Sequence, residues 1–283
     1  MAEDKISICL TTQRFDVLFK RAVDSICKQT YIPHEVVLVI DGLSSKLSNE
    51  KWFRDLPRDW EIHWTENENS GPSAPRNQTM YYATGDWLLM MDGDDLLVPS
   101  CLETYSKMMP HLGPADLIAE ITALAIIHQG STVTQNIPPD KNAWNEAYKS
   151  NIRNMVNSKW KKGDLPLRPI FIRNSTKKYY PSDFMYLEDK VLLLQYILEE
   201  RKIVLSDYCG YVMNIHSRSF SNVLANAGLT FRDESRFKKI AANIHIQNWV
   251  MRDTIFNMWR SYRYLTDDDR HYIDESVKYY SFI

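Results

Sequence analysis

The sequence predicts an α/β fold, in which short buried strands of a mostly parallel sheet alternate with amphipathic helices. Three observations support this prediction: apolar runs of strand length, helical spacing of apolar residues between two of them, and polar residues where each run ends. Buried parallel strands give continuous apolar runs, whereas a surface helix shows one apolar stripe. We therefore expect a sheet flanked by helices.

The first two strands and the helix between them follow in order. The first strand is Ile6-Ser7-Ile8-Cys9-Leu10, and the second is the β-branched run Val36-Val37-Leu38-Val39-Ile40, which stops at Asp41-Gly42. Between them, one face is apolar and the other charged, with Phe15, Leu18, Phe19, Ala22 and Ile26 opposite Lys20, Asp24 and Lys28. This spacing indicates a helix that packs on the sheet.

A third apolar run, Trp87-Leu88-Leu89-Met90-Met91, leads directly into Asp92-Gly93-Asp94-Asp95. Three carboxylates so close together repel one another, and a divalent cation turns that repulsion into binding. Oxygen ligands favour Mg²⁺ or Mn²⁺, which usually complete their shell with substrate phosphates. The motif predicts a metal–diphosphate site at the strand end, where ligands of open α/β sheets collect. A solvated acidic turn is the alternative.

Fewer patterns are informative in the second half of the chain. Leu187 to Leu198 is predicted to be a largely buried helix with Leu187, Val191, Leu194 and Leu198 along one stripe, and Cys209 to Ile215 is β-like. Gln129 to Asn142, which contains Gly130, Pro138 and Pro139, is predicted to be a loop. A helical tail is predicted from near Thr230.

Composition limits the classes of protein to consider. The 283 residues are 44% hydrophobic and 25% charged, which is enough for one substantial core and a helical appendage. The net charge of −2 does not favour nucleic acid or anionic lipid. No apolar run has bilayer length, and Met1-Ala2-Glu3-Asp4 shows no signal-peptide pattern. We expect a cytoplasmic protein whose four widely separated cysteines are reduced core residues.

The order of the motifs resembles the inverting family 2 glycosyltransferases of GT-A fold. The matches are Gln29-Thr30-Tyr31, Asp41-Gly42, Asn69-Ser70-Gly71, Arg76-Asn77, Ala83-Thr84-Gly85-Asp86 and Asp92-Gly93-Asp94-Asp95. Such an ordered series is far more specific than any one dipeptide. The resemblance implies a Rossmann-like, mixed but mostly parallel sheet. It also implies a hexosyltransferase dependent on Mn²⁺ or Mg²⁺ that moves a sugar from a nucleotide sugar, expected to be a UDP-sugar, to a hydroxyl of a glycan or glycolipid-type acceptor.

The resemblance also assigns roles to individual residues. Thr11 and Asp41 contact the nucleobase, Arg76 the diphosphate or base, and Asp92 the ribose and metal. The full nucleotide-sugar set is Thr11, Arg14, Asp41, Arg76, Asp92, Gly93 and Arg218, and the metal ligands are Asp94, Asp92 and His216. The residue types suit these roles, because a carboxylate accepts from a pyrimidine imide N–H and a guanidinium offers a fork of donors to phosphate. The alternatives are that Asp41 stabilises its own turn and that Arg76 is a solvated helix residue.

Glu188-Asp189 resembles the acidic pair whose second member is the family's catalytic base. An inverting transfer needs a carboxylate opposite the leaving group to accept the proton of the attacking hydroxyl. We therefore expect Asp189 to be the base, with Glu188 as the other candidate. Acidic residues in the first turn of a helix also favour the helix dipole, which is the structural alternative.

Three departures from the family's pattern leave substrate identity open. Leu10-Thr11-Thr12-Gln13 stands where the family usually has Pro-x-Tyr-Asn, so the aromatic residue beside the base is absent. Ile40 replaces the first of the usual two aspartates before the glycine. Tyr179-Tyr180-Pro181-Ser182-Asp183 replaces a Gly-Gly segment before the acidic pair. The nucleotide base and the shape of the acceptor pocket are therefore not fixed by the motifs.

The predicted domains are a GT-A glycosyltransferase domain over residues 1–222 and a helical extension over 223–283. The first divides into a nucleotide-sugar half, 1–120, and an acceptor half, 121–222. Phe231 to Tyr264 interleaves basic and aromatic residues. We expect this tail to pack on the catalytic domain, or to contact an anionic acceptor or the inner membrane face, with nucleic acid as a lesser variant.

Two other activities and one non-enzymatic role compete with this prediction. A nucleotidyltransferase that makes a nucleotide sugar would need a glycine-rich phosphate loop after the first strand, and Thr11-Thr12-Gln13-Arg14-Phe15 has no glycine. A glycosyltransferase acting on modified nucleic acid is the second. A module holding structural calcium would leave Arg76 and Asp189 unexplained.

Overall fold

The computed structural model describes residues 4–13, 15–42, 54–65, 71–120, 124–127, 132–135, 168–181, 188–199, 201–206, 208 and 210–215. The strands are β1 (Ile6–Thr12), β2 (Glu35–Ile40), β3 (Glu61–Trp64), β4 (Trp87–Asp92), β5 (Leu96–Leu97), β6 (Leu117–Glu120), β7 (Leu124–Ile127), β8 (Thr132–Gln135), β9 (Arg168–Arg173), β10 (Ile203–Ser206) and β11 (Tyr211–Ile215). The α-helices are α1 (Val17–Cys27), α2 (Ser73–Tyr82), α3 (Cys101–Met108) and α4 (Glu188–Leu198).

The larger sheet has seven strands in the order β10-β6-β9-β4-β1-β2-β3. β1 pairs in parallel with β2 and with β4, and β2 pairs in parallel with β3. β9 runs antiparallel between β4 and β6. The predicted α/β class with a mixed, mostly parallel sheet is therefore confirmed. The carboxyl ends of β1, β2, β3 and β4 meet at one edge, called the carboxyl edge below.

The core lies around the central strands, as their apolar sequences predict. All seven residues of β1 are buried, and five of the six residues of β2 and of β4 are buried. α1 covers this sheet with Phe19, Ala22 and Ile26, all nearly inaccessible to solvent. The helix begins where the Asp16 carboxylate accepts hydrogen bonds from the backbone N–H groups of Leu18 and Phe19, a typical N-cap.

A second sheet has four strands in the order β5-β11-β7-β8. β11 pairs antiparallel with β5, which directly follows the acidic motif, and parallel with β7. β8 lies inside the segment predicted to be a loop, so that prediction was wrong for Thr132–Gln135. Three of these four residues are β-branched, which favours a strand. The loop was predicted because Gly130 and Pro138 lie close by.

The helix predicted near Leu187 is confirmed as α4, which begins at Glu188. Its described buried side chains are Glu188, Leu192, Leu193 and Tyr196. Cys9 and Cys101 are buried as expected, whereas Cys27 at the end of α1 is exposed, so the prediction of a core residue was wrong there. None of the helices among the described residues has the length and apolarity needed to cross a bilayer. The predicted tail lies outside these residues.

Candidate functional site

The acidic turn after β4 is joined to β1 by its backbone. Thr11 pairs with Asp92 across the two strands, and the N–H of Gly93 donates to the Thr11 carbonyl at 2.7 Å. On the other side of β1, the N–H of Asp41 donates to the Thr12 carbonyl at 2.8 Å. The strand ends that carry Thr11, Asp41 and Asp92 are therefore locked side by side, as the sequence predicts.

Gly93 is required by this close approach. A Cβ atom at Gly93 would lie 2.7 Å from the Thr12 Cβ and 2.8 Å from the Thr11 carbonyl oxygen, closer than real Cβ atoms come. Any side chain would push the acidic turn away from β1. The glycine in Asp92-Gly93-Asp94 thus sets the distance between the acidic turn and the end of β1.

Asp41 lies at the end of β2 with only 2% of its surface exposed. Its Oδ2 accepts a hydrogen bond from Nε2 of Gln13 at 2.6 Å, and its Oδ1 accepts one from Oγ1 of Thr65 at 2.8 Å. These donors come from the ends of neighbouring strands, so Asp41 does more than stabilise its own turn. An ionised carboxylate only accepts hydrogen bonds, so Asp41 can contact a ligand only through an N–H or O–H donor of that ligand.

Arg76, in the first turns of α2, connects two acidic side chains from distant parts of the chain. Its Nη2 lies 2.8 Å and 3.0 Å from the two carboxylate oxygens of Asp92, and its Nε lies 3.3 Å from Oδ1. Its Nη1 donates to Oε1 of Glu188. The Arg76 side chain is only 15% exposed, so this arginine is not a solvated helix residue. In this structure its contacts are carboxylates.

Burial and charge shift the pKa values of this cluster in opposite directions. Burial alone would lower the pKa of Arg76, but Asp92 and Glu188 raise that pKa well above its ordinary value. Burial raises the pKa of Glu188; Arg76 opposes that rise, and the adjacent Asp189 adds to it. The half-buried Asp189 is therefore close enough to act electrostatically on the first turn of α4.

Asp95 belongs to a buried network and has a structural role that the sequence did not predict. Its Oδ2 accepts from the Tyr211 hydroxyl at 2.7 Å, and its Oδ1 accepts from the backbone N–H of Asn214 at 2.8 Å. The same Tyr211 oxygen accepts from the N–H of Asp92 at 3.1 Å. The Asn214 side chain donates to the Asp94 carbonyl. This network joins β11 to the acidic turn, in which Asp92 and Asp94 are the predicted metal ligands.

The donor chemistry of the turn fits a hard divalent cation. Mg²⁺ is typically held by one or two carboxylates together with substrate phosphates and water, which Asp92 and Asp94 can satisfy. Within the described part of the chain, no three His, Cys, Asp or Glu side chains form a group that could hold a metal by themselves. His216, the predicted third ligand, lies outside the described residues, as do Arg14 and Arg218.

Sequence interpretation did not find several partners of the site. Gln13 and Thr65 hold Asp41, Tyr211 and Asn214 hold the acidic turn, and Tyr180 packs its ring 5.4 Å from the Arg76 guanidinium carbon. Gln13 and Thr65 were detectable in principle, because they directly follow β1 and β3 at the same edge as Asp41. The others are brought there by contacts between segments far apart in sequence.

Comparison with known proteins places this geometry in context. The sequence profile described as glycosyl transferase family 2 matches residues 7–169. Glycosyltransferase GlyA of Streptococcus pneumoniae is 32% identical over 114 residues, which cover 39% of this chain and 16% of GlyA. A glucosyl-dolichyl phosphate glucuronosyltransferase of Haloferax volcanii is 33% identical over 104 residues, covering 35% and 32%. The matched segment spans less than half the length of each of these relatives.

The fold resembles the crystal structure of S. aureus TarS, residues 1–349, in complex with UDP-GlcNAc. The TM-score is 0.61 at 18% identity, and the match covers 97% of this chain and 71% of that 1–349 chain. A complex of the same protein with UDP matches at a TM-score of 0.53. At this identity the likeness concerns the fold. Since the family profile covers more than half of the chain, the protein belongs to glycosyl transferase family 2, with a Rossmann-like sheet of GT-A type.

Proposed function

We propose that this protein transfers a sugar from a UDP-sugar to a hydroxyl of a carbohydrate or lipid-linked acceptor, in a single displacement that inverts the anomeric carbon. The observation that carries the proposal is the convergence at the carboxyl edge. Asp41 and the acidic turn approach from the strand ends, and Glu188-Asp189 approaches from α4 through Arg76. This convergence supports the proposal that Asp41 meets the base, the acidic turn meets the diphosphate and Glu188-Asp189 meets the acceptor.

Recognition of a uracil base is supported by Asp41 and Gln13. A carboxylate can only accept, so Asp41 selects a base that presents an N–H donor at its edge. The Gln13 amide, held 2.6 Å from Asp41, can donate its other N–H to a neighbouring carbonyl. Uracil carries an imide N–H between two carbonyls, whereas cytosine offers a bare ring nitrogen there. The TarS complexes with UDP and UDP-GlcNAc add support from a protein of the same fold.

The diphosphate is proposed to lie against Asp92 and Asp94 with Mg²⁺ or Mn²⁺. When bound, the cation supplies charge neutralisation for the departing UDP. The chain's own contribution is to hold the two carboxylates at a fixed distance from β1, which it does through Gly93 and the Tyr211 network. His216 remains a proposed additional ligand.

Asp189 is proposed to accept the proton of the attacking hydroxyl. It lies next to Glu188, whose side chain is turned towards Arg76 and so is engaged. Protonation of Glu188 would weaken its ion pair with Arg76, which favours Asp189 over Glu188 as the base. Proton removal at the hydroxyl oxygen accompanies its attack, the bond from the anomeric carbon to UDP breaks, and no covalent sugar–protein adduct forms.

We propose that the tail, Phe231 to Tyr264, binds the acceptor. The acceptor is then either an anionic polymer or a lipid-linked molecule at the cytoplasmic face of the membrane. Deletion of residues after about Thr230 should spare UDP binding and abolish transfer to the natural acceptor. Sedimentation with anionic vesicles across a salt series measures attachment, which should weaken as screening grows. A truncated protein that transfers at full rate would refute the docking role.

A thermal-shift screen of UDP-, GDP-, CDP- and dTDP-sugars, with and without Mn²⁺, tests the donor assignment. Ligands that bind the native state raise its unfolding temperature by mass action. We expect the largest Mn²⁺-dependent shift with a UDP-sugar. A screen without any nucleotide-dependent shift would refute the proposed function, and NMR of the product showing a retained anomeric configuration would refute the single displacement.

A further inference from the structure

The strongest unassigned feature of the site is the bridge from Asp92 through Arg76 to Glu188. The guanidinium divides its donors between the two carboxylates, with Nε and Nη2 on Asp92 and Nη1 on Glu188. Arg76 and Glu188 are separated by 112 positions in the chain, so this ion pair is a purely tertiary contact. It joins the end of β4 to the first residue of α4.

Arg76 and its neighbour Asn77 hold the chain on both sides of residues 182–187. The Asn77 side chain donates to the Tyr180 carbonyl at 2.8 Å and accepts from the Tyr180 N–H at 2.7 Å. The ring of Tyr180 also faces the Arg76 guanidinium. Two successive residues of α2 therefore fix both the approach to α4 and its first residue.

We propose that Arg76 and Glu188 are positioning residues, which fix the first turn of α4 against the acidic turn and thereby place Asp189 for proton transfer. The proposal rests on the proposed function and deepens it. It replaces the phosphate contact expected for Arg76 with a contact to Glu188. It also gives Glu188 a role that differs from that of a base.

The physical reason for such a bridge is the sensitivity of proton transfer to distance. A displacement of about 1 Å at a catalytic group costs about 10²-fold in rate. Asp189 lies one residue after Glu188, so its backbone moves with any shift of that first turn. Bidentate contact with Asp92 fixes the guanidinium in direction as well as in distance, which a lysine ammonium at the same place would not.

A double-mutant cycle of Arg76→Lys, Glu188→Gln and the double variant tests the bridge. Kd for UDP with Mn²⁺ is measured by calorimetry, and turnover is measured as UDP released from UDP-GlcNAc at saturating donor. We expect Glu188→Gln to lower kcat by about 10–100-fold while leaving the Kd for UDP within about twofold. The double variant should be little slower than the slower single variant, because both changes break the same contact.

Arg173→Lys is the matched control. Arg173 is also half-buried and donates to the carbonyls of Ala115 and Gly113, but it lies over Trp87 at the opposite edge of the sheet. Its replacement should lower the unfolding temperature without changing kcat or the Kd for UDP. The unfolding temperature of every variant separates loss of positioning from loss of fold.

Two results would overturn the proposal. Effects of Arg76→Lys and Glu188→Gln that multiply in the double variant would show that the two residues act independently. If Arg76→Lys weakens UDP binding and Glu188→Gln leaves turnover unchanged, Arg76 contacts the phosphate groups of UDP and does not position α4. A wild-type protein that binds no UDP would instead refute the proposed function. In that case the same double-mutant cycle, measured as free energy of unfolding, would still show whether Arg76 and Glu188 interact.

Discussion

The amino edge of the seven-stranded sheet, where β1, β2 and β4 begin, lies opposite the carboxyl edge. There Glu35 accepts hydrogen bonds from the Ser7 hydroxyl and the Thr84 N–H, both at 2.6 Å. At the carboxyl edge, Asp92 and Glu188 share the guanidinium of Arg76, and Asp94 and Asp189 follow them closely in sequence. Both edges are acidic. At the amino edge Glu35 accepts from neutral donors, whereas at the carboxyl edge Asp92 and Glu188 share one arginine, beside Asp41 and Asp95, which accept from neutral donors.

Among these described residues, only the candidate site therefore contains two carboxylates that share a cation. Ala83-Thr84-Gly85-Asp86 matches the family as well as the acidic turn does, yet its groups bind the beginnings of β1 and β2. Asp86, for example, accepts from the N–H of Lys5 at 2.9 Å. A motif that matches the family therefore need not lie at the candidate site, and the carboxylates on and next to the Arg76 bridge are the first to test for catalysis.

Asp189→Asn should give the largest effect at the carboxyl edge. Loss of a general base should lower the transfer rate by about 10²–10⁴-fold while leaving UDP affinity unchanged. Initial rates and calorimetry measure the two quantities. Asp24→Asn, on the exposed face of α1, is the control and should transfer at the wild-type rate. An active Asp189→Asn protein would assign the base elsewhere.

Asp94→Asn should remove most of the metal-dependent turnover, because a neutral amide is a weaker ligand for a hard cation than a carboxylate. The fold should be retained. Turnover of the donor is measured against Mn²⁺ and Mg²⁺ concentration, and the unfolding temperature is measured in parallel. Asp86→Asn, at the amino edge, should keep the wild-type metal dependence. Wild-type turnover that persists in excess chelator would contradict the metal requirement.

Tyr211→Phe tests the network that joins β11 to the acidic turn. The change removes one hydroxyl that donates to Asp95 and accepts from the N–H of Asp92, leaving buried polar groups with fewer partners. We expect the free energy of unfolding to fall by about 1–3 kcal/mol, together with weaker Mn²⁺-dependent UDP binding. Denaturant unfolding measures the first. Tyr105→Phe, which removes a buried hydroxyl from Glu120 away from the turn, should lower stability and spare UDP binding.

Glu35→Gln should give the smallest effect, confined to stability. Burial alone would raise the pKa of Glu35, but the donors from Ser7 and Thr84 lower it below its ordinary value. A lowered pKa means that the ionised carboxylate stabilises the fold above the unfolded-state pKa and loses that contribution as pH falls through the folded-state pKa. The difference in unfolding temperature between wild type and Glu35→Gln should therefore shrink on acidification. An equal difference at neutral and acid pH would contradict this.

The donor side could be predicted from sequence because its residues follow strands directly. β1, β2 and β4 are long apolar runs, so the positions of Asp41 and Asp92 at their ends follow from the strands themselves. α4 was predicted from a different pattern, the apolar stripe at helical spacing from Leu187 to Leu198. β8 was missed because glycine and prolines flank a short polar strand that pairing with β7 stabilises.

The partners of the site were beyond sequence patterns because they depend on tertiary contacts. Arg76 was expected to contact the diphosphate or the base, and its contact with Glu188 depends on how α2 and α4 lie against the sheet. Tyr211 and Asn214 belong to a different sheet from Asp92. A carboxylate within a motif shows what chemistry is available, whereas its partners are decided by packing.

The hydrogen bonds of Tyr211 and Asn214 to the acidic turn limit where this chain can be joined to the C-terminal segment of a related protein. They tie the end of β11 to the proposed donor site, so β11 belongs with that site structurally although it lies far downstream in sequence. A chimaera that exchanges the C-terminal segment should therefore be joined after Ile215. A junction before Tyr211 would import a foreign strand into the donor site unless the incoming sequence restored both hydrogen-bonding side chains.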